Sequence, residues 1–169
     1  MGARESARKH RSVQERARVH RNPQECMVKE SLLVSACLLG EPCRYDGKSV
    51  PCREVIELGD RFELVPVCPE QLGGLPTPRT PSEVQPDGRV VDCEGVDRTA
   101  AFRAGAEAAL AIAREHGCQR AILKENSPSC GSTRVYDGTF SGVLVPGMGV
   151  AAALLRDAGL EVQSESRVR

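Results

Sequence analysis

Three short apolar runs, residues 31–36, 62–67 and 119–124, read as strands, and patterns with helical spacing lie between them. Strands that alternate with helices are joined by long crossovers, which build a parallel sheet with helices packed on both faces. The expected fold is therefore α/β: a single Rossmann-like domain with a parallel sheet. A chain of 169 residues suits one well-buried core rather than two. Residues 50–59 are predicted to form a short helix, with Pro51 near its first turn and Gly59 as its stop. A stronger helix is predicted over 98–116, capped by Asp97, with Phe102, Ala106, Ala109, Leu110 and Ala113 on one stripe and Gly117 closing it. A last helix over 148–157 ends at Gly159 and leads into a strand at 160–163. Between 69 and 96 the sequence fits neither period, because Pro69, Pro76, Pro78, Pro81 and Pro86 oppose regular helix and most ladder pairing. This is a long Pro/Gly-rich loop or two short excursions, and loops of that length in compact domains are usually functional.

Residues 1–26 are rich in Arg, Glu, Gln and His and lack apolar periodicity, the composition of a disordered basic tail. The folded domain is expected to span 27–169, with the tail dispensable. The first thirty residues hold eight Lys/Arg against four Asp/Glu, so the remainder is mildly acidic and offers no dedicated nucleic-acid surface. No stretch approaches the roughly 18–20 apolar residues of a membrane span, and the amino terminus has no apolar export core. A cytoplasmic location is expected.

A reducing compartment makes the eight cysteines poor candidates for four disulfides and good ones for metal binding or catalysis. Cys37, Cys68 and Cys130 follow the three strand-like runs closely. In an open α/β sheet, ligands sit outside the carboxyl ends of the strands, so these thiolates can converge while remote in sequence. Cys37, Cys43, Cys68 and Cys130 all lie among Gly, Pro or Ser, which let the backbone approach a bulky ligand. Cys118, between a helix-ending glycine and a strand, reads as structural. Cys26, Cys52 and Cys93 read as ordinary tail, helix-start and turn residues.

No Cys-x2-Cys pair is present, and His116 is the only histidine beyond the tail, which disfavours a mixed Cys/His zinc site. Thiolates also select iron–sulfur clusters, and three of them on a [4Fe-4S] cluster leave one iron open to substrate. Glu70 lies two residues after Cys68, and Lys124-Glu125-Asn126-Ser127 precedes Cys130. A glutamate there can activate water as general base, and Ser127 can bind a polar substrate edge or relay a proton. Two other readings compete with this one. A zinc-binding or cysteine-lined module without catalysis would leave no open coordination position. A cysteine-nucleophile enzyme would have to activate its thiol through Lys124 or Arg44.

The motifs Val34-Ser35-Ala36-Cys37-Leu38-Leu39-Gly40, Cys43-Arg44-Tyr45-Asp46-Gly47, Val67-Cys68-Pro69-Glu70 with Gly73-Gly74-Leu75-Pro76-Thr77-Pro78-Arg79, and Lys124-Glu125-Asn126-Ser127-Pro128-Ser129-Cys130-Gly131 occur in order. Tyr136-Asp137-Gly138-Thr139-Phe140 and Gly147-Met148-Gly149-Val150 follow. Together they resemble the domain-of-unknown-function 523 family, of the thiouracil desulfidase type, over about residues 31–163. The resemblance implies a Rossmann-like domain holding a [4Fe-4S] cluster through three cysteines, which removes sulfur from a small thiolated base without net redox chemistry. It places the ligands at Cys37, Cys68 and Cys130 and the residues assisting hydrolysis at Glu70 and Ser127. Cys43 belongs to the same pattern and ranks fourth as a ligand, since four cysteines would close the open iron.

Overall fold

The computed structural model describes residues 28–168. The expected tail, with Cys26 and Met27, lies outside them. Strands β1 (Glu30–Ser35), β2 (Phe62–Val67), β5 (Arg120–Leu123) and β8 (Glu161–Ser164) form a four-stranded sheet in the order β2-β1-β5-β8, every pair parallel. Alternate residues of each strand face opposite sides. Leu33, Val65, Val67, Ala121 and Leu123 enter one core, while Leu32, Val34 and Ile122 enter the other. Full burial of a side chain such as Leu33 contributes roughly 1.5–3 kcal/mol.

Two helices cover the first core: α3 (Thr99–Glu115), through Leu110 and Ala113, and α4 (Val150–Asp157), through Ala152 and Leu155. Helix α1 (Arg53–Glu57) covers the other core with the fully buried Val55. The predicted apolar stripe of α3 is buried throughout. Asp97 lies one residue outside the cap position, yet its Oδ1 accepts the Thr99 N–H at 2.8 Å. The helix predicted over 50–59 is shorter than expected. It starts only at Arg53 and tightens into a 3-10 turn over Leu58–Asp60, so Gly59 lies inside that turn instead of ending the helix.

The 69–96 stretch contains more regular structure than its prolines suggested. It begins with a single helical turn, α2 (Pro69–Leu72), in which Pro69 takes the first helical position, where its missing N–H costs nothing. It ends with an antiparallel hairpin, β3 (Ser82–Val84) and β4 (Val90–Asp92), turned by Pro86-Asp87-Gly88. A second hairpin, β6 (Arg134–Tyr136) and β7 (Leu144–Pro146), follows the Cys130 loop. Backbone contact fixes α2 against α3. A Cβ on Gly105 would fall on the Pro69 carbonyl, and one on Gly73 would fall on the Ala101 carbonyl.

The sheet order places a switch point at the β1/β5 boundary. The chain leaves β1 toward α1 on one face and leaves β5 toward α4 on the other, which opens a crevice at the carboxyl ends of these strands. The Ser35 hydroxyl at the end of β1 accepts the Lys124 N–H at the end of β5, at 2.9 Å, and closes the floor of that crevice.

Candidate active site

A cavity of about 560 Å³ opens at the crevice, and Cys37, Cys43, Cys68, Cys130, Glu70 and Ser127 all line it. The three strand-end cysteines are therefore brought to one place, together with both residues expected to assist hydrolysis. The remaining cysteines are arranged differently. Cys118 is buried in the α3/α4 core, and half-buried Cys52 packs beside α1. Cys93, read from sequence as an ordinary turn residue, is exposed at the cavity rim.

Cys37 ends β1 in a 3-10 turn over Ala36–Leu39, which Gly40 terminates in a left-handed conformation at φ 99°. From there the chain returns to place Cys43 between the Cys37 and Cys68 thiols, in hydrogen-bonding contact with each. The contact with Cys37 and burial raise the Cys43 pKa to about 11, although the contact with Cys68 pulls it down. The Cys68 thiol is pushed up by its hydrogen bond with Cys43 and by burial, and its Sγ also approaches the Cys43 carbonyl at 3.7 Å. Burial raises the Cys130 pKa to about 12 despite the neighbouring hydroxyls of Ser35 and Ser127. Without a metal these thiols keep their protons at neutral pH, so ligation must release them.

The donor set fits a cluster. Among the described residues, no group of three or more His, Cys, Asp or Glu side chains closes tightly enough to hold a single metal ion. The thiols of Cys37, Cys68 and Cys130 instead face a shared cavity from the ends of β1 and β2 and from the loop after β5. Thiolates in that arrangement suit a polynuclear iron–sulfur centre, whose irons are spread apart.

Glu70 stands on α2 beside Cys68 and forms an ion pair with Arg79, Oε2 to Nε at 2.5 Å, with the two side chains 14% and 6% exposed. Arg79 also donates to the carbonyl of Cys43 at 3.0 Å and to that of Pro76 at 3.2 Å. The sequence reading gave Arg79 no task, yet it ties the Glu70 carboxylate to the Cys43 segment. Only its place at the end of the Gly-Gly-Leu-Pro-Thr-Pro-Arg run hinted at this. Glu70 Oε1 accepts no hydrogen bond among the described residues and is left to the cavity.

On the opposite wall, Ser127 Oγ accepts the N–H groups of Ser129 and Cys130, both at 3.1 Å. Its lone pairs are thereby engaged, and its O–H remains to donate. Glu125, two residues earlier, is tied into the same loop. Its carboxylate accepts from the N–H groups of Ser132, Thr133 and Arg134 and from the Ser132 hydroxyl. Burial opposes ionisation of Glu125, but these donors outweigh it and lower the pKa to about 2. The loop is further held by α4, whose first N–H groups donate to the carbonyls of Pro128 and Ser129. A side chain at Gly149 would collide with Ser129.

The groups needed for a cysteine-nucleophile enzyme do not fit that role. Lys124 is engaged by Glu165 at 2.5 Å, and His116 ends α3 away from the cavity lining. Arg44 stacks against Tyr45 and approaches Asp46 at 3.4 Å.

A family profile for 2-thiouracil desulfurase matches residues 32–167. The uncharacterized protein YbbK of Bacillus subtilis (strain 168) is 43% identical over 146 residues, covering 81% of this chain and 97% of its own length. A solved structure of the [4Fe-4S]-dependent thiouracil desulfidase TudS, a DUF523 protein, aligns with a TM-score of 0.78 at 48% identity, covering 83% of this chain and 93% of that one. Motifs, fold and cavity agree with these similarities, and the chain belongs to the 2-thiouracil desulfurase family.

Proposed function

We infer that the protein is a [4Fe-4S]-dependent desulfidase that hydrolyses the thiocarbonyl of a small thiolated nucleobase such as thiouracil. The observation that carries this reading is the meeting of Cys37, Cys68 and Cys130 with Glu70 and Ser127 around one cavity. These three cysteines are the ligands we assign. Held by these three thiolates, such a cluster would supply a Lewis-acidic iron for a soft sulfur atom.

The chain supplies the acid–base chemistry. Arg79 fixes one oxygen of Glu70, and the free Oε1 takes the proton of the attacking water as oxygen adds to the thiocarbonyl carbon. The carbon–sulfur bond then breaks and sulfur leaves as sulfide. A carbonyl replaces the thiocarbonyl, water supplies oxygen and protons, and no electron is gained or lost overall. The Ser127 hydroxyl, with its acceptor sites occupied, donates to the polar edge of the base and orients it for attack. Cys43 stays outside the ligand set and packs between Cys37 and Cys68. Seven free cysteines among the described residues suit a reducing, cytoplasmic setting.

Anaerobic reconstitution, an iron and sulfide count, and sulfide release from thiouracil test the reading. Cluster-loaded protein should release sulfide and form uracil in equal amounts. A colourless protein that binds zinc and releases no sulfide from any thiolated base would replace it with the non-catalytic module.

A further inference from the structure

The β3/β4 hairpin and the loop between β6 and β7 meet over the cavity, and neither contributes a cysteine ligand or a hydrolytic residue. Glu83 of β3 joins them. It is 7% exposed, and its Oε2 accepts the N–H groups of Gly138 and Phe140, both at 2.9 Å. Gln85 adds a bond from Nε2 to the Gly138 carbonyl at 3.1 Å. Glu83 also lines the cavity, and its Oε1 accepts no hydrogen bond among the described residues.

The loop held in this way carries Phe140, an aromatic residue in the left-handed region at φ 57° and 39% exposed. Bulky residues avoid that region, and persist there only when their surroundings enforce it. Here the Glu83 carboxylate accepts the Phe140 N–H and, with the bonds of Thr139 to Asp137, holds the turn, and the ring joins the cavity lining instead of a core. Aromatic side chains are scarce in this chain: two Tyr, three Phe and no Trp. Both tyrosines, Tyr45 and Tyr136, line the same cavity as Phe140, so three of the five aromatic rings surround one space. Such a concentration suits a planar heteroaromatic ligand, since aromatic side chains offer faces for stacking.

We propose that Phe140 and Glu83 form the wall that recognises the base: the Phe140 ring stacks on it, and the free Oε1 of Glu83 accepts a ring N–H. The assignment rests on the thiolated-base reading above and narrows it to bases that carry an unsubstituted ring N–H on the edge facing Glu83. A buried acceptor left unpaired by an N-alkylated base would discriminate strongly against it.

Two substitutions separate recognition from folding. Glu83→Gln keeps one oxygen for the Gly138 and Phe140 N–H groups and replaces the free acceptor with an NH2 donor. Phe140→Gly removes the ring at a backbone position that glycine adopts freely, so its melting temperature should hold or rise. Calorimetric titration of the anaerobically loaded protein with uracil, N1-methyluracil and N3-methyluracil measures recognition without turnover. Wild type should bind uracil and disfavour one methylated isomer at least roughly tenfold, a preference that Glu83→Gln should abolish. Phe140→Gly should weaken uracil binding roughly 10- to 100-fold. Unaltered uracil affinity in Phe140→Gly, equal binding of all three bases by wild type, or wild-type preference retained in Glu83→Gln would each overturn the proposal. Uracil binding without sulfide release from thiouracil would overturn the desulfidase reading and leave this wall standing. Sulfide release with unchanged affinities in both variants would do the reverse.

Discussion

The two sides of the cavity are held in different ways. On the β5 side, Cys130 sits in a loop fixed by the chain itself, through Ser127 Oγ, the Glu125 carboxylate and the capped start of α4. On the β1/β2 side the backbone is tied as well, with Val50 N–H donating to the Cys37 carbonyl and Leu72 N–H to that of Cys68, but the thiols of Cys37, Cys43 and Cys68 contact one another. Hydrogen bonds from backbone N–H groups are present whether or not a cofactor is bound. Contacts between protonated thiols are weak and must rearrange when metal displaces the protons. One side is therefore preformed through bonds that a cluster would leave in place, while on the other the thiol contacts would have to rearrange for a cluster to bind.

The largest effect should come from the side that depends on the cofactor. Cys68→Ala removes one of the three ligands proposed above, so iron content, absorption near 400 nm and sulfide release should all be lost. Cys118→Ala, in the α3/α4 core, should retain all three. Equal iron loss in the two variants would refute the assignment of ligands to strand ends.

Next in size is Glu70→Gln. The amide oxygen can still accept from Arg79, so iron should stay near wild-type stoichiometry while sulfide release per cluster falls about 10²–10⁴-fold. An unchanged rate per cluster would take Glu70 out of the reaction.

On the preformed side, Glu125→Gln should destabilise even the metal-free protein, by about 2–3 kcal/mol at neutral pH once the shift is discounted for partial solvent exposure. The folded pKa of Glu125 is lowered from 4.5 to about 2, so its contribution is complete above the unfolded value and lost as pH falls through about 2. Denaturation of metal-free protein from pH 7 to 2 should show the gap between wild type and variant closing over that window. A gap that does not vary with pH would mean that the carboxylate charge does not hold the loop. The smallest effect is expected for Cys43→Ala, which should keep its iron and lose less than about 1 kcal/mol, a modest change for a small buried side chain. Loss of an iron from the cluster would promote Cys43 to a ligand.

Much of this arrangement was legible in the sequence. The parallel sheet followed from three apolar runs at crossover spacing, and the positions of Cys37, Cys68 and Cys130 followed from where those runs stop. The β3/β4 hairpin was not seen, although Pro86-Asp87-Gly88 is a turn signature, because the surrounding prolines were read only as breakers. Pro69 was misjudged in the same way, as it starts α2 instead of preventing a helix. Arg79, Glu83 and Glu125 could not be assigned from sequence. Each acts through partners set by tertiary approach: Glu70 and Cys43 for Arg79, the 138–140 backbone for Glu83, and the 132–134 backbone for Glu125.

Neither hairpin adds a strand to the central sheet, yet residues of both line the cavity. Lengthening a surface connection costs little, about 0.6 kcal/mol for each doubling. Cys37, Cys68 and Glu70, by contrast, are seated just past strand ends and on a helix locked by Gly73 and Gly105, and Cys130 lies in a loop held by its own hydrogen bonds. A change of hairpin length or tip sequence can therefore reshape what enters the cavity while the proposed ligands and base stay in register. The same scaffold can in this way be retuned to new sulfur compounds by exchanging its rim, without a compensating repair of its core.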